Sequence, residues 1–277
     1  MQQEQNAYIL GTDLEEMNRL GLQHQVWASE AQKGWQLAGF TRGMHLLDLG
    51  SGPGFCTREM AKIVGRDGRI IAVDKSKIYL DYLNEINKTQ QLNIETKHTD
   101  FDNLDLSDAT LDGMYCRWAL AWIPNPDEIM TKVHSAMKLG GKVVIHEYYH
   151  WMTHQINPSG PNVKKAIAGC YKSFQDAAGN IDVGKELPSI LEKIGFKVTG
   201  IRPMCKMARP GELTWQWPRS FYEIYWPKIQ EMGYISEEEL KLAFENLKEI
   251  EKNNDSTLFC PSLVEIIAEK VLSLIHI

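Results

Sequence analysis

From residue 44 onward, the hydrophobic positions of the chain alternate between short continuous runs and stripes at helical spacing. Continuous apolar runs predict buried strands, whereas apolar residues three or four positions apart predict helices with one buried face. The predicted strands cover residues 44–49, 69–73, 94–99, 113–117 and 142–146. Because helices are predicted between them, we expect an α/β fold with a doubly wound parallel sheet. The ligands of such sheets bind beyond the carboxyl ends of the strands.

The segment before this core predicts a long helix over residues 14–38, interrupted near Gly21. Thr12 and Glu15 stand at the spacing of a capping box at its start, in which each side chain satisfies the backbone N–H of the other. Within the core, Asn125 is the expected cap of the helix before the fifth strand.

After residue 147 the regular alternation of strands and helices breaks. Residues 148–184 predict one helix, and a further helix and strand follow up to residue 203. Residues 212–252 are predicted to be helical, with Ser236 and Glu239 as a second capping box. Residues 263–270 predict a last strand.

A glycine-rich motif, Leu-Leu-Asp-Leu-Gly-Ser-Gly-Pro-Gly from residue 46 to residue 54, follows the first predicted strand and opens a helix. Gly50 and Gly52 lack the Cβ atoms that would keep the backbone away from a ligand, and glycine permits a tight turn. Taken alone, the motif is weakly specific because many glycine-rich turns only connect a strand to a helix.

Two further strand ends carry groups that suit an adenosine. Asp74 closes the second predicted strand, where a carboxylate can accept hydrogen bonds from both hydroxyls of a ribose. Asp100 and Phe101 follow the third, where the acid can accept from an adenine amino group and the ring can lie on the base. Any one of these could be a surface residue, but three successive strand ends make chance a poor explanation.

The glycine spacing is GxGxG with Asp48 inside the strand before it, whereas dinucleotide sites usually have GxGxxG. In this it resembles the first motif of the class I S-adenosylmethionine-dependent methyltransferases. Residues 138–143 resemble the turn into the family's fifth strand, with Leu139 where proline is usual, and residues 262–268 resemble its last, antiparallel strand. The resemblance covers most of the chain. It implies a Rossmann-like, mostly parallel seven-stranded sheet and S-adenosylmethionine as the cofactor.

The chain is most similar to bacterial small-molecule methyltransferases of the ubiquinone/menaquinone-biosynthesis type, whose N-terminal pattern resembles residues 8–11 and 19–27. By this resemblance Tyr8 would close over the methionine end of the cofactor, and Arg117 would lie at the end of the fourth strand. Ser51 departs from the commoner Cys or Gly. The cofactor-binding residues that the resemblance implies are Tyr8, Gly50, Ser51, Gly52, Asp74, Lys75, Asp100, Phe101 and Arg117.

No Pro/Gly/Ser-rich linker or charge block divides the sequence, so we expect a single methyltransferase domain over residues 1–277. We expect an N-terminal helical cap (1–42), a cofactor-binding core (43–147) and a lid insertion (148–184). The C-terminal part of the sheet (185–277) would then carry a helical insertion at 212–252.

Aromatic residues just past strand ends are expected to bind the acceptor, because aromatic walls exclude water and orient apolar ligands. These residues are Trp122, Tyr148 and Trp151. Glu147, read as the first polar residue beyond the fifth strand, is the candidate catalytic residue, which would orient or deprotonate the acceptor. Its alternative role is a salt bridge or cap at the strand end.

Composition excludes several other classes. Of the 277 residues 43% are hydrophobic and 24% are charged, and the net charge is −6 with scattered basic residues, which argues against a nucleic-acid partner. No apolar run approaches the roughly 20 residues of a membrane span. The five cysteines are far apart without a CxxC pair, and the histidines lack metal-ligand spacing. We therefore expect a cytoplasmic protein without a metal site, and the sequence leaves its oligomeric state open.

Three functions follow from these patterns. The first is methyl transfer from S-adenosylmethionine to a small, partly apolar molecule, mainly by alignment of acceptor and methyl group. The second is an NAD-dependent oxidoreductase, which the glycine spacing and Asp48 disfavour. The third is a non-catalytic module that binds S-adenosylmethionine.

Overall fold

The structure is a computed structural model that describes residues 14–272. Thr12 and Tyr8, with their predicted capping and cofactor contacts, lie outside the described residues. The chain divides into two compact units. The sheet unit comprises Trp27–Trp151, Ala178–Met204 and the described residues from Ser262 onward, and the helical unit comprises the described residues up to Val26, Met152–Ala177 and Cys205–Pro261.

A seven-stranded sheet organises the sheet unit. Its strands are β1 (His45–Leu49), β2 (Arg69–Asp74), β3 (Ile94–His98), β4 (Leu111–Arg117), β5 (Met137–His150), β7 (Phe196–Met204) and β10 (Ser262–Lys270). They lie in the order β3-β2-β1-β4-β5-β10-β7. The last strand, β10, pairs antiparallel with both β5 and β7, while β1 to β5 pair in parallel. The predicted mostly parallel seven-stranded sheet is therefore confirmed.

Helices cover this sheet, and their apolar faces form its core. They are the part of α1 (Leu14–Ala38) that begins at Trp27, together with α2 (Phe55–Val64), α3 (Lys77–Gln90), α4 (Pro126–Ala136) and α6 (Leu187–Ile194). One buried cluster includes Trp35 of α1, Met60 of α2 and Leu46 of β1. Strands that are buried on both faces carry continuous apolar residues, which explains why the short hydrophobic runs located them well.

The predicted interruption of the first helix at Gly21 is wrong, since α1 is continuous over its 25 residues. One glycine inside a helix costs about 1 kcal/mol relative to alanine. Complete burial of Trp27, Ala31 and Trp35 on the same helix outweighs that cost.

No helix in the described part of the chain is long and apolar enough to cross a membrane.

The predicted bounds of the fifth strand are too short. β5 has 14 residues and continues to His150, because β10 pairs with it from Lys142 as far as His150. The sequence predicts that Glu147 lies beyond the end of this strand, and that prediction is wrong, because Glu147 lies inside it.

The helix before this strand begins at Pro126, but the side chain of the predicted cap, Asn125, makes no capping hydrogen bond.

Besides the first part of α1, the helical unit contains three α-helices and a small sheet. They are α5 (Pro161–Gln175), α7 (Leu213–Glu231), α8 (Glu237–Lys252) and the strands β6 (Gln155–Asn157), β8 (Met207–Ala208) and β9 (Thr257–Phe259), in the order β6-β9-β8. The predicted capping box of Ser236 and Glu239 is present at the start of α8. Tyr222, Tyr225 and Trp226 of α7 are buried, so the aromatic residues of this helix belong to its core.

Candidate functional site

The glycine loop, residues 50–54, leads from β1 into α2 and is anchored on β2. The amides of Gly50 and Ser51 both donate to the carbonyl of Val73, at 2.9 Å each. Gly50 has φ 76° and Gly52 has φ 53°, in the left-handed region that favours glycine. A Cβ built on Gly50 would overlap the side chain of Ala119, whereas one built on Gly52 would meet nothing within 4 Å. Gly52 therefore leaves open space for a ligand.

Asp74 lies at the end of β2 and fastens this loop. Its Oδ2 accepts the amide of Gly52 at 2.8 Å, and its Oδ1 accepts the amide of Ser76 at 2.8 Å. Burial raises the pKa of Asp74 above its ordinary value, and these two hydrogen bonds oppose the rise. Each carboxylate oxygen can accept a second hydrogen bond, so Asp74 can still receive two ribose hydroxyls.

Asp48 supports the loop from inside the sheet unit. Its carboxyl is buried, and Thr57 of α2 donates to Oδ2 at 2.5 Å. Burial raises the pKa of Asp48 to about 6, against the lowering effects of Thr57 and Arg117. Asp48 thus fastens β1 to α2.

The third strand end supplies the next predicted residues. The amide of Thr99 donates to the carbonyl of Asp74 at 3.2 Å, which joins the ends of β3 and β2. Cζ of Phe101 lies 3.6 Å from the position of a Cβ on Gly50, so its ring borders the glycine loop. Asp100 and Lys75 are both exposed.

An adenosine cofactor fits these residues. The buried hydroxyl of Ser51 has no hydrogen-bond partner among residues 14–272, so it can bond to a ligand. Gly52 borders open space, Asp74 retains acceptor capacity, and Phe101 offers a ring beside the loop. The structure thus brings four of the predicted cofactor residues to one edge of the sheet.

The strand-4 turn, residues 117–122, follows β4 at the same edge. Arg117 places its guanidinium 5.0 Å from the ring centroid of Trp118. Trp118 has φ 55°, and its ring stacks on Tyr148 with centroids 5.9 Å apart and an interplanar angle of 26°. Trp118 was not among the predicted site residues. Its place after a strand end was a usable signal, but its left-handed backbone cannot be seen in the sequence.

Glu147 is completely buried under this turn. Its Oε1 accepts the amide of Leu120 at 2.8 Å. Burial raises the pKa of Glu147 to about 8, although backbone hydrogen bonds from Leu120, Ala119 and Ala121 lower it. At neutral pH the carboxyl is therefore mostly protonated.

The predicted acceptor-binding residues lie at the ends of β4 and β5. Trp122 and Tyr148 are half-buried, and Trp151 is buried. The amide of Trp151 donates to Asp182 at 2.7 Å, which joins the end of β5 to residues 178–184. Gly179 lies so close to the carbonyl of Ala121 that a side chain would not fit there.

A buried polar row lies across β4, β5, β10 and β7. His146 Nε2 lies 2.9 Å from Glu265 Oε2, and its Nδ1 lies 3.3 Å from the hydroxyl of Tyr115. Arg202 donates two hydrogen bonds of 2.9 Å to Glu265. Burial raises the pKa of Glu265, but His146 and Arg202 outweigh it and bring it to about 2. This row fastens the sheet and contains none of the predicted site residues.

A family model of the methyltransferase domain matches residues 40–195, which is more than half of the chain. This match includes the glycine loop, Asp74, the strand-4 turn and Glu147.

Relatives and solved structures agree with it. The chain is 28% identical over 190 residues to a demethylmenaquinone methyltransferase of Lactobacillus johnsonii, over 60% of this chain and 75% of the relative. It is 27% identical over 127 residues to a ubiquinone/menaquinone biosynthesis C-methyltransferase of Hydrogenovibrio crunogenus, over 45% of this chain and 49% of that relative. A solved structure from Bacillus halodurans shares the fold, with a TM-score of 0.61 at 15% identity, over 88% of this chain and 100% of that one. The chain therefore belongs to the methyltransferase domain family, and it is an S-adenosylmethionine-dependent methyltransferase.

Proposed function

We propose that this methyltransferase acts on a small, partly apolar molecule held at the carboxyl edge of the sheet. The observation that carries the proposal is the stack of Trp118 on Tyr148 at the ends of β4 and β5. Trp122 and Trp151 lie at the same strand ends. Such aromatic walls favour flat or apolar ligands, while a few polar groups set their orientation.

The chain's own residues contribute mainly by alignment. When bound, S-adenosylmethionine supplies a methyl group that its sulfonium charge already activates. Gly52, Asp74 and Phe101 are proposed to hold the cofactor, with Ser51, Lys75, Asp100, Arg117 and, outside the described residues, Tyr8. Fixing two reactants in the right geometry can supply several kcal/mol of barrier lowering, so a catalytic triad is not required.

For the acceptor we propose a quinol with an apolar substituent as the first class to test. The Lactobacillus johnsonii relative is named for demethylmenaquinone, and 28% of the aligned residues are identical. The net charge of −6 supports a small molecule over a nucleic acid as the partner.

Residues 148–184 are proposed as the insertion that encloses this acceptor. Support comes from the parts that belong to the sheet unit. Asp182 accepts from the amide of Trp151, and Gly184 lies against the carbonyl of Tyr148. These contacts keep residues 178–184 beside the strand ends.

The test is methyl transfer from S-adenosylmethionine with a tritiated methyl group. The acceptors offered are a demethylmenaquinol, a sterol and phosphoethanolamine. We expect labelled product in the organic extract with the quinol. With phosphoethanolamine, whose methylated product stays in water, we expect no labelled product in the aqueous phase after chromatographic separation from S-adenosylmethionine. Label only with the polar acceptor would contradict the proposed apolar class.

We also propose a cytoplasmic location. Its support is that all five cysteines are free thiols and four of them are buried, as is usual in a reducing compartment. Fractionation of the native host, followed by immunodetection, tests this proposal, and recovery from the periplasm or medium contradicts it.

A further inference from the structure

The strand-4 turn is held in a conformation that an ordinary side chain disfavours. Trp118 has φ 55°, and left-handed backbone is costly for a bulky residue. Strained residues of this kind persist only where surrounding contacts hold them, and they concentrate at functional sites. The contacts that hold this turn are therefore informative.

Two consecutive residues of β5 supply the contacts that hold the strand-4 turn. The amide of Trp118 donates to the carbonyl of His146 at 3.1 Å. The amide of Leu120 donates to the side chain of Glu147 at 2.8 Å. The residue between the two held amides, Ala119, lies against Gly50 of the glycine loop.

We propose that Glu147 is a positioning residue for the cofactor site, because its buried carboxyl accepts the Leu120 amide and so fixes the strand-4 turn against Gly50. The inference rests on cofactor binding at the glycine loop and does not depend on which acceptor is methylated. The sequence offers two roles for Glu147, to orient or deprotonate the acceptor, or to form a salt bridge or cap at the strand end. The role proposed here is closer to the second, because Glu147 accepts a backbone amide of the turn.

Burial supports this role over direct contact with the acceptor. The side chain of Glu147 is 0% exposed, so an acceptor could reach it only if the turn moved away. A neutral acid is easier to bury than a carboxylate, and the raised pKa of Glu147, about 8, keeps it mostly neutral at pH 7. Glutamine is therefore a close mimic of the native side chain.

The experiment compares Glu147→Gln with Glu147→Met. The two replacements are similar in length, but only the glutamine carries an oxygen that can accept the Leu120 amide, whereas the methionine sulfur is a weak acceptor. Glu265→Gln is the matched control, because it alters another buried carboxyl on the neighbouring strand that bonds to His146 and Arg202. Thermal denaturation establishes that each variant folds, and Glu147→Leu replaces the Met variant if that one does not.

Two readouts are measured well below the melting temperature. Hydrogen exchange with mass spectrometry follows the peptide that contains Leu120, and titration calorimetry gives the Kd of S-adenosylmethionine. We expect Glu147→Gln to stay within about threefold of wild type in both, since its amide oxygen still holds the turn. In Glu147→Met, the amide of Leu120 should exchange at least tenfold faster than in wild type, and the Kd of S-adenosylmethionine should rise at least tenfold. Glu265→Gln should lower the melting temperature and leave both readouts unchanged.

Any outcome that differs from these expectations counts against the proposal. A folded Met variant with wild-type affinity and exchange would overturn the positioning role. Equal loss in the Gln and Met variants would show that ionisation of Glu147 matters, and not its hold on the turn. If Glu147→Gln binds the cofactor normally but loses turnover with an identified acceptor, Glu147 is a base that contacts the acceptor. Wild-type protein that does not bind S-adenosylmethionine would contradict the cofactor assignment itself.

Discussion

Gly50 and Ala119 lie so close together that a Cβ on the glycine would overlap the Cβ of the alanine. Gly52, two positions later, borders open space. Both residues have positive φ, at 76° and 53°. The two glycines of one motif therefore differ, because the first permits packing against the strand-4 turn and the second borders the open space where we propose that the cofactor binds.

The two positions should consequently respond differently to substitution. Gly52→Val should fold and lose cofactor binding, since its side chain would fill the open space, at a backbone cost of about 1–2 kcal/mol. Gly50→Ala should lower stability by a similar backbone cost plus the overlap with Ala119. Thermal denaturation and calorimetric titration with S-adenosylmethionine measure both effects. Normal binding by Gly52→Val would mean that the loop does not approach the cofactor.

Asp74→Ala should weaken the binding of S-adenosylmethionine by about tenfold or more, because hydrogen bonds to a charged group contribute roughly 1.5–3 kcal/mol each. The loss has two sources, since Asp74 also accepts the amide of Gly52. Asp81→Ala is a suitable control because that exposed carboxylate pairs only with Lys77 among the ion pairs of the described residues. Unchanged affinity in Asp74→Ala would remove this residue from the site, and equal competition by NAD would contradict the cofactor.

The sequence predicts which residues meet at the glycine loop because the patterns that indicate them are local. Gly52, Asp74 and Phe101 each follow a strand that an apolar run marks, and the ends of parallel strands meet at one edge. Their convergence at the glycine loop follows from topology alone. Short-range patterns were enough for this part of the molecule.

Other features depend on partners far away in the chain. β5 extends to His150 because β10 pairs with it, so the burial of Glu147 depends on residues after position 261. The left-handed backbone of Trp118 has no local sequence signal, since tryptophan rarely adopts it. Asn125 shows that a local signal can also mislead. It is a favourable capping residue directly before the helix, and yet its side chain makes no capping hydrogen bond.

The free energy of unfolding of the protein should depend on pH through the titration of Glu147. Its folded pKa of about 8 lies above the ordinary 4.5, so between these values the folded state holds a proton that the unfolded state has released. The free energy of unfolding should therefore fall as pH rises through this window, by at most about 1.4 kcal/mol per pH unit from this group. Urea unfolding of wild type and Glu147→Gln at pH 5, 6, 7 and 8 measures the difference.

The comparison isolates Glu147 because other groups titrate in both proteins. Asp48, with its pKa raised to about 6, contributes its own slope, which cancels in the difference. Burial raises the pKa of the neighbouring Cys116 well above its ordinary value, so that thiol stays neutral here. Parallel stability curves for wild type and Glu147→Gln would contradict a raised pKa at this carboxyl.

Replacement of Trp118 should reverse the usual order of alanine and glycine. Trp118→Ala and Trp118→Gly both lose the ring contacts with Tyr148 and Arg117. They differ in the backbone, because alanine at φ 55° keeps a cost of about 1–2 kcal/mol that glycine avoids. Glycine's greater freedom in the unfolded chain reduces this advantage, so Trp118→Gly should be more stable by about 1 kcal/mol. The same pair of replacements at Cys116, inside β4, should show alanine as the more stable residue. Urea unfolding measures the stability of each variant. If the alanine variant is more stable than the glycine variant at both positions, Trp118 does not keep its left-handed backbone in solution.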